Sequence, residues 1–211
     1  MSALQRLGLF GGSFDPIHAG HLHVARAACA AFDLDQLVFV PAARPPHKPG
    51  RVLAAGADRL AMVDLAIAGE ARWSSSDIEL KRSGPSYTID TLRALPAALG
   101  VAPDAELFLV IGSDNLPGLP GWRDARELLS FAQPIVVLRA GDEAHFDGIR
   151  DLDLEPALLE RLERGLLRLP PAAGRSTELR EGIQAGAAPG EEVPARVREY
   201  ITVKGLYQAR P

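Results

Sequence analysis

The chain has 211 residues, 47% hydrophobic and 24% charged, with a formal net charge of −4; this fits one globular domain, with or without a small C-terminal extension, rather than a disordered or membrane protein. An acidic balance without any dense Lys/Arg run argues against a nucleic-acid partner. A single cysteine, Cys29 in an Ala-rich helical stretch, reads as a buried structural thiol, and with no secretory segment or bilayer-length apolar span the expectation is a soluble, cytoplasmic chain.

Leu4 to Phe10 reads as a short buried strand ending in Gly11-Gly12, and Gly20 to Phe32 carries apolar residues at helical spacing. Leu37 to Val40 is a second strand, closed by the Pro-rich stretch Pro41 to Pro49, and Asp58 to Ala68 a second amphipathic helix. Trp73 to Leu80 alternates weakly and predicts a strand; Ser86 then serves as N-cap of a helix to about Leu99. Glu106 to Ile111 predicts a buried strand running into Gly112-Ser113-Asp114, a helix around Arg123 to Phe131 and the strand Ile135 to Leu138. Ala140 to Arg164 is acidic and irregular apart from a helix at Pro156 to Arg164. Leu166 to Leu169 reads as the last strand, Ser176 as the cap of a helix to about Ala185, and Pro194 to Ile201 as the closing helix.

Strands alternating with helices imply parallel pairing and right-handed crossovers, hence an α/β class with a Rossmann-like, doubly wound parallel sheet and a small C-terminal helical extension. One domain is expected over 1–211, its core reaching to about 170 and its helical part starting at about 171.

In such a sheet anions bind where a strand ends and a helix begins, because unpaired N–H groups and the helix dipole point there. Gly11 and Gly12 let main chain approach a phosphate, and Ser13 adds a hydroxyl. Neither G-x-x-x-x-G-K-[ST] nor G-x-G-x-x-G occurs, so a P-loop or a standard dinucleotide site is not indicated. His18 and His21 share one helix face if the helix begins near Ile17. Phosphate oxygens would suit them; taken alone, the spacing also fits an exposed pair or a zinc pair. Zinc needs a further ligand, and Cys29 lies too far along the helix while Asp15 reads as bracing its turn before Pro16. No protein-held metal is expected.

The run Gly11-Gly12-Ser13-Phe14-Asp15-Pro16-Ile17-His18-Ala19-Gly20-His21 resembles the H-x-G-H signature of the nucleotidyltransferase superfamily, in the fuller form G-G-[ST]-F-D-P-x-H-x-G-H of bacterial nicotinate-mononucleotide adenylyltransferases. Val40-Pro41, Pro45-Pro46-His47-Lys48, Glu79-Leu80-Lys81-Arg82, Pro85-Ser86-Tyr87-Thr88, Ile111-Gly112-Ser113-Asp114, Trp122 and the ending Tyr200-Ile201 with Gly205-Leu206-Tyr207 are similar in order and spacing. Two departures stand out. Gly174-Arg175-Ser176-Thr177-Glu178-Leu179-Arg180 replaces the first serine of the family's Ile-Ser-[SA]-Thr-x-[IL]-Arg by arginine, and Ala42-Ala43 stands where some members carry asparagines.

The resemblance implies transfer of AMP from ATP to nicotinate mononucleotide, giving deamido-NAD and pyrophosphate. Other H-x-G-H enzymes, such as phosphopantetheine adenylyltransferase or a cytidylyltransferase, and a catalytically silent nucleotide-binding module are the alternatives. It further implies that Gly11, Gly12, Ser13, Phe14, His18, Gly20, His21, Gly112, Asp114, Ser176, Thr177 and Arg180 bind ATP, with His18, His21 and Arg180 catalytic. Lys48, Ser86, Tyr87, Thr88 and Trp122 would bind nicotinate mononucleotide. A phosphate monoester has a second pKa of about 6, so the attacking oxygen is already ionised at neutral pH. Mg²⁺ is the expected cofactor, bound mainly through ATP phosphates. Homo-oligomerisation is left open.

Overall fold

In the computed structural model, residues 5–43, 53–102, 104–139, 146, 148–170 and 174–209 are described. The strands are β1 (Arg6–Gly12), β2 (Gln36–Pro41), β3 (Trp73–Ser75), β4 (Glu106–Gly112), β5 (Gln133–Arg139) and β6 (Leu166–Leu169). They form one sheet of six in the order β3-β2-β1-β4-β5-β6, and every neighbouring pair is parallel. The expected doubly wound sheet is therefore present.

Its helices are α1 (Ala19–Ala31), α2 (Gly56–Ile67), α3 (Ile78–Lys81), α4 (Thr88–Ala98), α5 (Ala125–Phe131), α6 (Pro156–Arg164), α7 (Ser176–Gln184) and α8 (Ala195–Lys204), with 3₁₀ turns at Ser113–Gly121 and Gly148–Asp151. Strand side chains alternate between two core layers, as a period of two requires. Phe10, Phe39, Phe108 and Val137 face one layer, while Leu9, Val38, Leu109 and Val136 face the other. The first layer also takes Leu22 of α1, Met62 of α2, Leu179 of α7 and Ile201 of α8. Leu92 of α4, Leu128 of α5 and Leu162 of α6 close the second.

Several sequence expectations are corrected. Only Trp73–Ser75 of the weakly alternating stretch is strand; Ile78–Lys81 turns into a short helix that buries Glu79. The helix expected from Ser86 has Tyr87 as its N-cap, without a side-chain cap bond, because the Ser86 hydroxyl is engaged with the Ala43 N–H instead, at 3.0 Å. Likewise Arg175, not Ser176, occupies the N-cap of α7, and the Ser176 hydroxyl donates to the Pro16 carbonyl at 3.1 Å. Both serines tie separate segments together. Between β4 and α5, which lies where the sequence predicts a helix, the chain forms a 3₁₀ turn at Ser113–Gly121, consistent with Pro117 and Pro120 each lacking an N–H to continue an α-helix.

Strand order reverses at β1, whose neighbours are β2 and β4. A sheet of this order binds ligands in the crevice at the carboxyl ends of the reversing strands. Here those ends are Gly12 of β1 and Gly112 of β4, so the fold alone directs attention to these two glycines.

Candidate active site

Helix α1 begins with a capping box built from two histidines. His18 is the N-cap, in extended conformation, and its Nδ1 accepts from the Gly20 N–H at 3.1 Å. His21, three residues on, returns the contact: its Nδ1 accepts from the His18 N–H at 3.3 Å. The helix begins at Ala19 rather than near Ile17, so the pair brackets its start, His18 as N-cap and His21 in its first turn. Their ring centroids are 3.9 Å apart. Since Nδ1 of each ring is an acceptor, a neutral ring carries its proton on Nε2, an assignment that follows from the hydrogen-bond network. The two imidazoles become Nε2–H donors fixed at a helix N-terminus.

Beneath them the loop is rigidly supported. Phe14, assigned to ATP by the sequence, has its side chain only 1% exposed; its ring packs edge-on against His21, centroids 5.2 Å apart, and against Phe10 at 5.4 Å. Any contact it makes with a ligand must come from main chain, and its side chain serves as a floor for His21. Phe14 also holds a left-handed backbone, φ 47°. A Cβ on Gly12 would lie 2.9 Å from the Phe14 ring, so glycine there is required by packing. At Gly11 a Cβ would meet nothing within 4 Å.

A buried polar cluster fixes the loop from below. Asp15 is 0% exposed, and its Oδ1 accepts from the Ala54 N–H at 3.1 Å and from the Tyr207 hydroxyl at 2.8 Å. Burial first, then the neighbouring Asp15 charge, push the Tyr207 phenol far above its ordinary range, so it stays a donor. Arg59, 2% exposed, donates to the Ser13 carbonyl at 2.8 Å and the Ala54 carbonyl at 3.0 Å. Its pKa is drawn down by burial and supported chiefly by Asp15. Arg180 donates to the Asp15 carbonyl at 2.6 Å, and Thr177 accepts from it at 3.3 Å.

Close to these sits Gly174, with φ +102°, where a Cβ would stand 3.0 Å from His18 Nδ1. The C-terminal part therefore reaches the histidines directly. Arg175, which replaces the family serine, points outward, 81% exposed, 3.8 Å from Glu178.

A cleft crosses the reversal point. Gly11, Gly12 and Ser13 from the first turn, Gly112 and Asn115 after β4, and Glu79, Ser86, Tyr87, Thr88 and Trp122 all line it. Trp122 combines the two readings open to a tryptophan: it is half-buried against the second core layer and also borders the cleft. Arg123 stacks over the Tyr87 ring at 4.7 Å. Asp114 is exposed and does not cap the turn after β4. Its Oδ1 accepts from Asn115 at 3.0 Å and overhangs Gly112 so closely that a Cβ there would fall 2.3 Å away. Lys48 lies outside the described residues.

Sequence-expected residues thus fall into two groups. One lines the cleft; the other, His18, Gly20, His21, Ser176, Thr177 and Arg180, gathers where α1 and α7 begin. The loop 13–18 joins them. Sequence reading gave no role to Arg59, and quoted Glu79 and Tyr207 only as parts of motifs without assigning them one; the partner of Tyr207, Asp15, lies 192 positions away. Glu79, 6% exposed, accepts from Thr91 at 2.7 Å and from Ser86. Burial raises its carboxyl above the usual range against those hydrogen bonds. Among the described residues no group of three or more His, Cys, Asp or Glu is placed to hold a metal ion, and no helix is long and apolar enough to cross a membrane.

A reversing parallel sheet with a glycine turn and paired histidines at its first helix defines a nucleotidyltransferase class, and residues 9–182 match the family model described as Cytidylyltransferase-like. The chain is 44% identical over 212 residues to a probable nicotinate-nucleotide adenylyltransferase of Gloeobacter violaceus, covering 96% of each. With that of a Synechococcus strain it shares 42% over 205 residues, covering 96% of this chain and 95% of the relative. The chain belongs to the nicotinate-nucleotide adenylyltransferase family. Its fold is also that of the Plasmodium falciparum nicotinic acid mononucleotide adenylyltransferase complexed with NaAD, with TM-score 0.70 at 16% identity over 96% of this chain and 97% of that one.

Proposed function

We propose that the chain transfers AMP from ATP to nicotinate mononucleotide, in the cytoplasm, and that His18 and His21 are the donors that handle the triphosphate. An ionised 5′-phosphate oxygen of the acceptor attacks the α-phosphorus of ATP in line. The new P–O bond forms as the bond to the β-phosphate breaks, and pyrophosphate leaves with that electron pair. No protein nucleophile or base is needed; the demand is for alignment and for charge stabilisation on the α-phosphate and leaving group.

The observation that carries this reading is the reciprocal cap, in which Nδ1 of His18 and of His21 each accept a main-chain N–H. Donors held this way need little reorganisation as negative charge builds. Gly11, Gly12, Ser13 and Gly20 would bring main chain to the triphosphate, and the start of α7 at Ser176 and Thr177 would face the β- and γ-phosphates. Arg180, folded onto the loop through the Asp15 carbonyl, would act by turning towards the departing pyrophosphate. Gly112 and Asp114 would meet the adenosine or the acceptor ribose. Within the cleft, Ser86, Tyr87, Thr88 and Trp122 would receive the pyridine ring and its carboxylate, with Lys48 at the acceptor phosphate. Mg²⁺ would be held mainly through ATP phosphate oxygens and would neutralise their charge.

The test is pyrophosphate release and dinucleotide formation from ATP with separate acceptors: nicotinate mononucleotide, nicotinamide mononucleotide, phosphopantetheine and a CTP-dependent control. Deamido-NAD formed at highest efficiency from the nicotinate substrate is the expected result. Turnover confined to another acceptor would reject the assignment, and equal efficiency with the amide would remove the carboxylate-recognition part of it.

A further inference from the structure

Glu79 lies in the cleft wall but is spent on the protein itself. Its carboxylate accepts from the Thr91 hydroxyl at 2.7 Å and from the Ser86 hydroxyl. Ser86 in turn accepts from the Ala43 N–H at 3.0 Å, and Thr91 accepts from Arg82 at 2.7 Å. Ser86 precedes the first turn of α4 and Thr91 lies within it. One carboxylate therefore grips the Tyr87–Thr88 turn from both sides and links it, through Ser86, to the segment leaving β2.

Burying a carboxylate is costly unless partners satisfy it, and packing alone would be met by an apolar side chain. The arrangement has a further consequence for recognition. Ser86 and Thr91 both donate their hydroxyl protons to Glu79, so neither proton is offered to a ligand at the cleft surface. What the turn can offer is main-chain N–H, and its aim depends on where Glu79 holds it.

We infer that Glu79 is a positioning residue for the acceptor end of the cleft, setting the Ser86–Tyr87–Thr88 turn against Ala43 so that the start of α4 can receive the acceptor's pyridine carboxylate. This rests on the reading of the acceptor given above. It assigns Ser86 a part through its tie to Glu79 rather than through a hydroxyl bond to substrate.

The test is steady-state kinetics of Glu79→Gln and Ser86→Ala with ATP and nicotinate mononucleotide varied in turn. Loss of a hydrogen bond to a charged group predicts a rise of about tenfold in KM for the acceptor, with KM for ATP unchanged. Ser86→Ala removes the Ala43 link together with the Ser86 bond to Glu79 while leaving the Thr91 bond in place, and carries the test if Glu79→Gln does not fold. Equal rises in both KM values, or an unchanged acceptor KM, would overturn the inference while leaving the proposed reaction standing. A wild-type chain that makes no deamido-NAD would instead overturn the reaction, and the inference with it.

Discussion

At His18 the ring nitrogen that caps α1 accepts from the Gly20 N–H at 3.1 Å, and the other nitrogen is the one assigned to phosphate. These jobs are separable, because asparagine also caps helices through a side-chain acceptor whereas alanine does not. His18→Ala is expected to cost about 1 kcal/mol of stability, and His18→Asn far less, in urea titrations. Turnover should fall in both by about 10²-fold, the scale for losing a donor to developing charge. If Asn restored turnover as well as stability, the imidazole would be a cap and nothing more. Gly174 is the neighbour to test beside it. Its φ of +102° disfavours any side chain, and a Cβ would press within 3.0 Å of His18 Nδ1. Gly174→Ala should destabilise the fold by roughly 1–2 kcal/mol and displace the ring, lowering kcat as well as Tm. Full activity in this variant would show that His18 tolerates a shift the capping geometry forbids.

The loop between β1 and α1 is held as a unit by elements far along the chain. Ser176 at the start of α7 donates to the Pro16 carbonyl at 3.1 Å, Ala19 N–H donates to the Glu192 carbonyl at 2.7 Å, and Tyr207 beyond α8 donates to Asp15 at 2.8 Å. Tyr207→Phe removes one of the two donors to Asp15 Oδ1 while the carboxylate stays buried, and among the described residues the other oxygen, Oδ2, has no hydrogen-bond partner, only the Arg180 guanidinium at 3.8 Å. A loss of about 1–3 kcal/mol is expected in denaturant unfolding, together with a raised KM for ATP as the loop loosens. An unchanged unfolding midpoint would mean the phenol contributes nothing to the loop. These braces explain what could be read in advance. The glycine turn, the histidine spacing and the strand runs are local patterns, so β1, β2, β4, β5 and β6 and the glycine turn ahead of α1 were legible. Arg59, Glu79 and Tyr207 were not, because charged and polar side chains are ordinarily exposed and their burial depends on partners 142 or more positions away in the case of the C-terminal tyrosines. The Ser86 and Ser176 caps failed for a related reason: each hydroxyl found a partner in another segment, which a local capping rule does not see.

For the molecule as a whole, pH acts on stability through carboxylates shifted in opposite directions, among them Asp35 and Glu79. Asp35 accepts the N–H groups of Gln5 and Arg6 on one oxygen, both at 2.9 Å, and those bonds, first Gln5 and then Arg6, hold its pKa below the ordinary 3.8. The folded state therefore binds the proton less readily than the unfolded one. Its stabilisation is present above 3.8 and is lost as pH falls through the lowered folded value. Glu79 behaves in reverse, since burial lifts its folded pKa above the ordinary 4.5. Its contribution is full below 4.5 and declines as pH rises through the folded value, because the chain must then carry a buried charge. The stability difference between wild type and Asp35→Asn should accordingly shrink on acidification. For Glu79→Gln, wild type should lose ground to the variant as pH is raised from below 4.5 to neutrality. Urea unfolding of the three chains across that range measures both slopes. A Glu79→Gln difference that stays level with pH would mean the carboxylate is as well solvated in the fold as in the open chain, in conflict with its burial between α3 and α4.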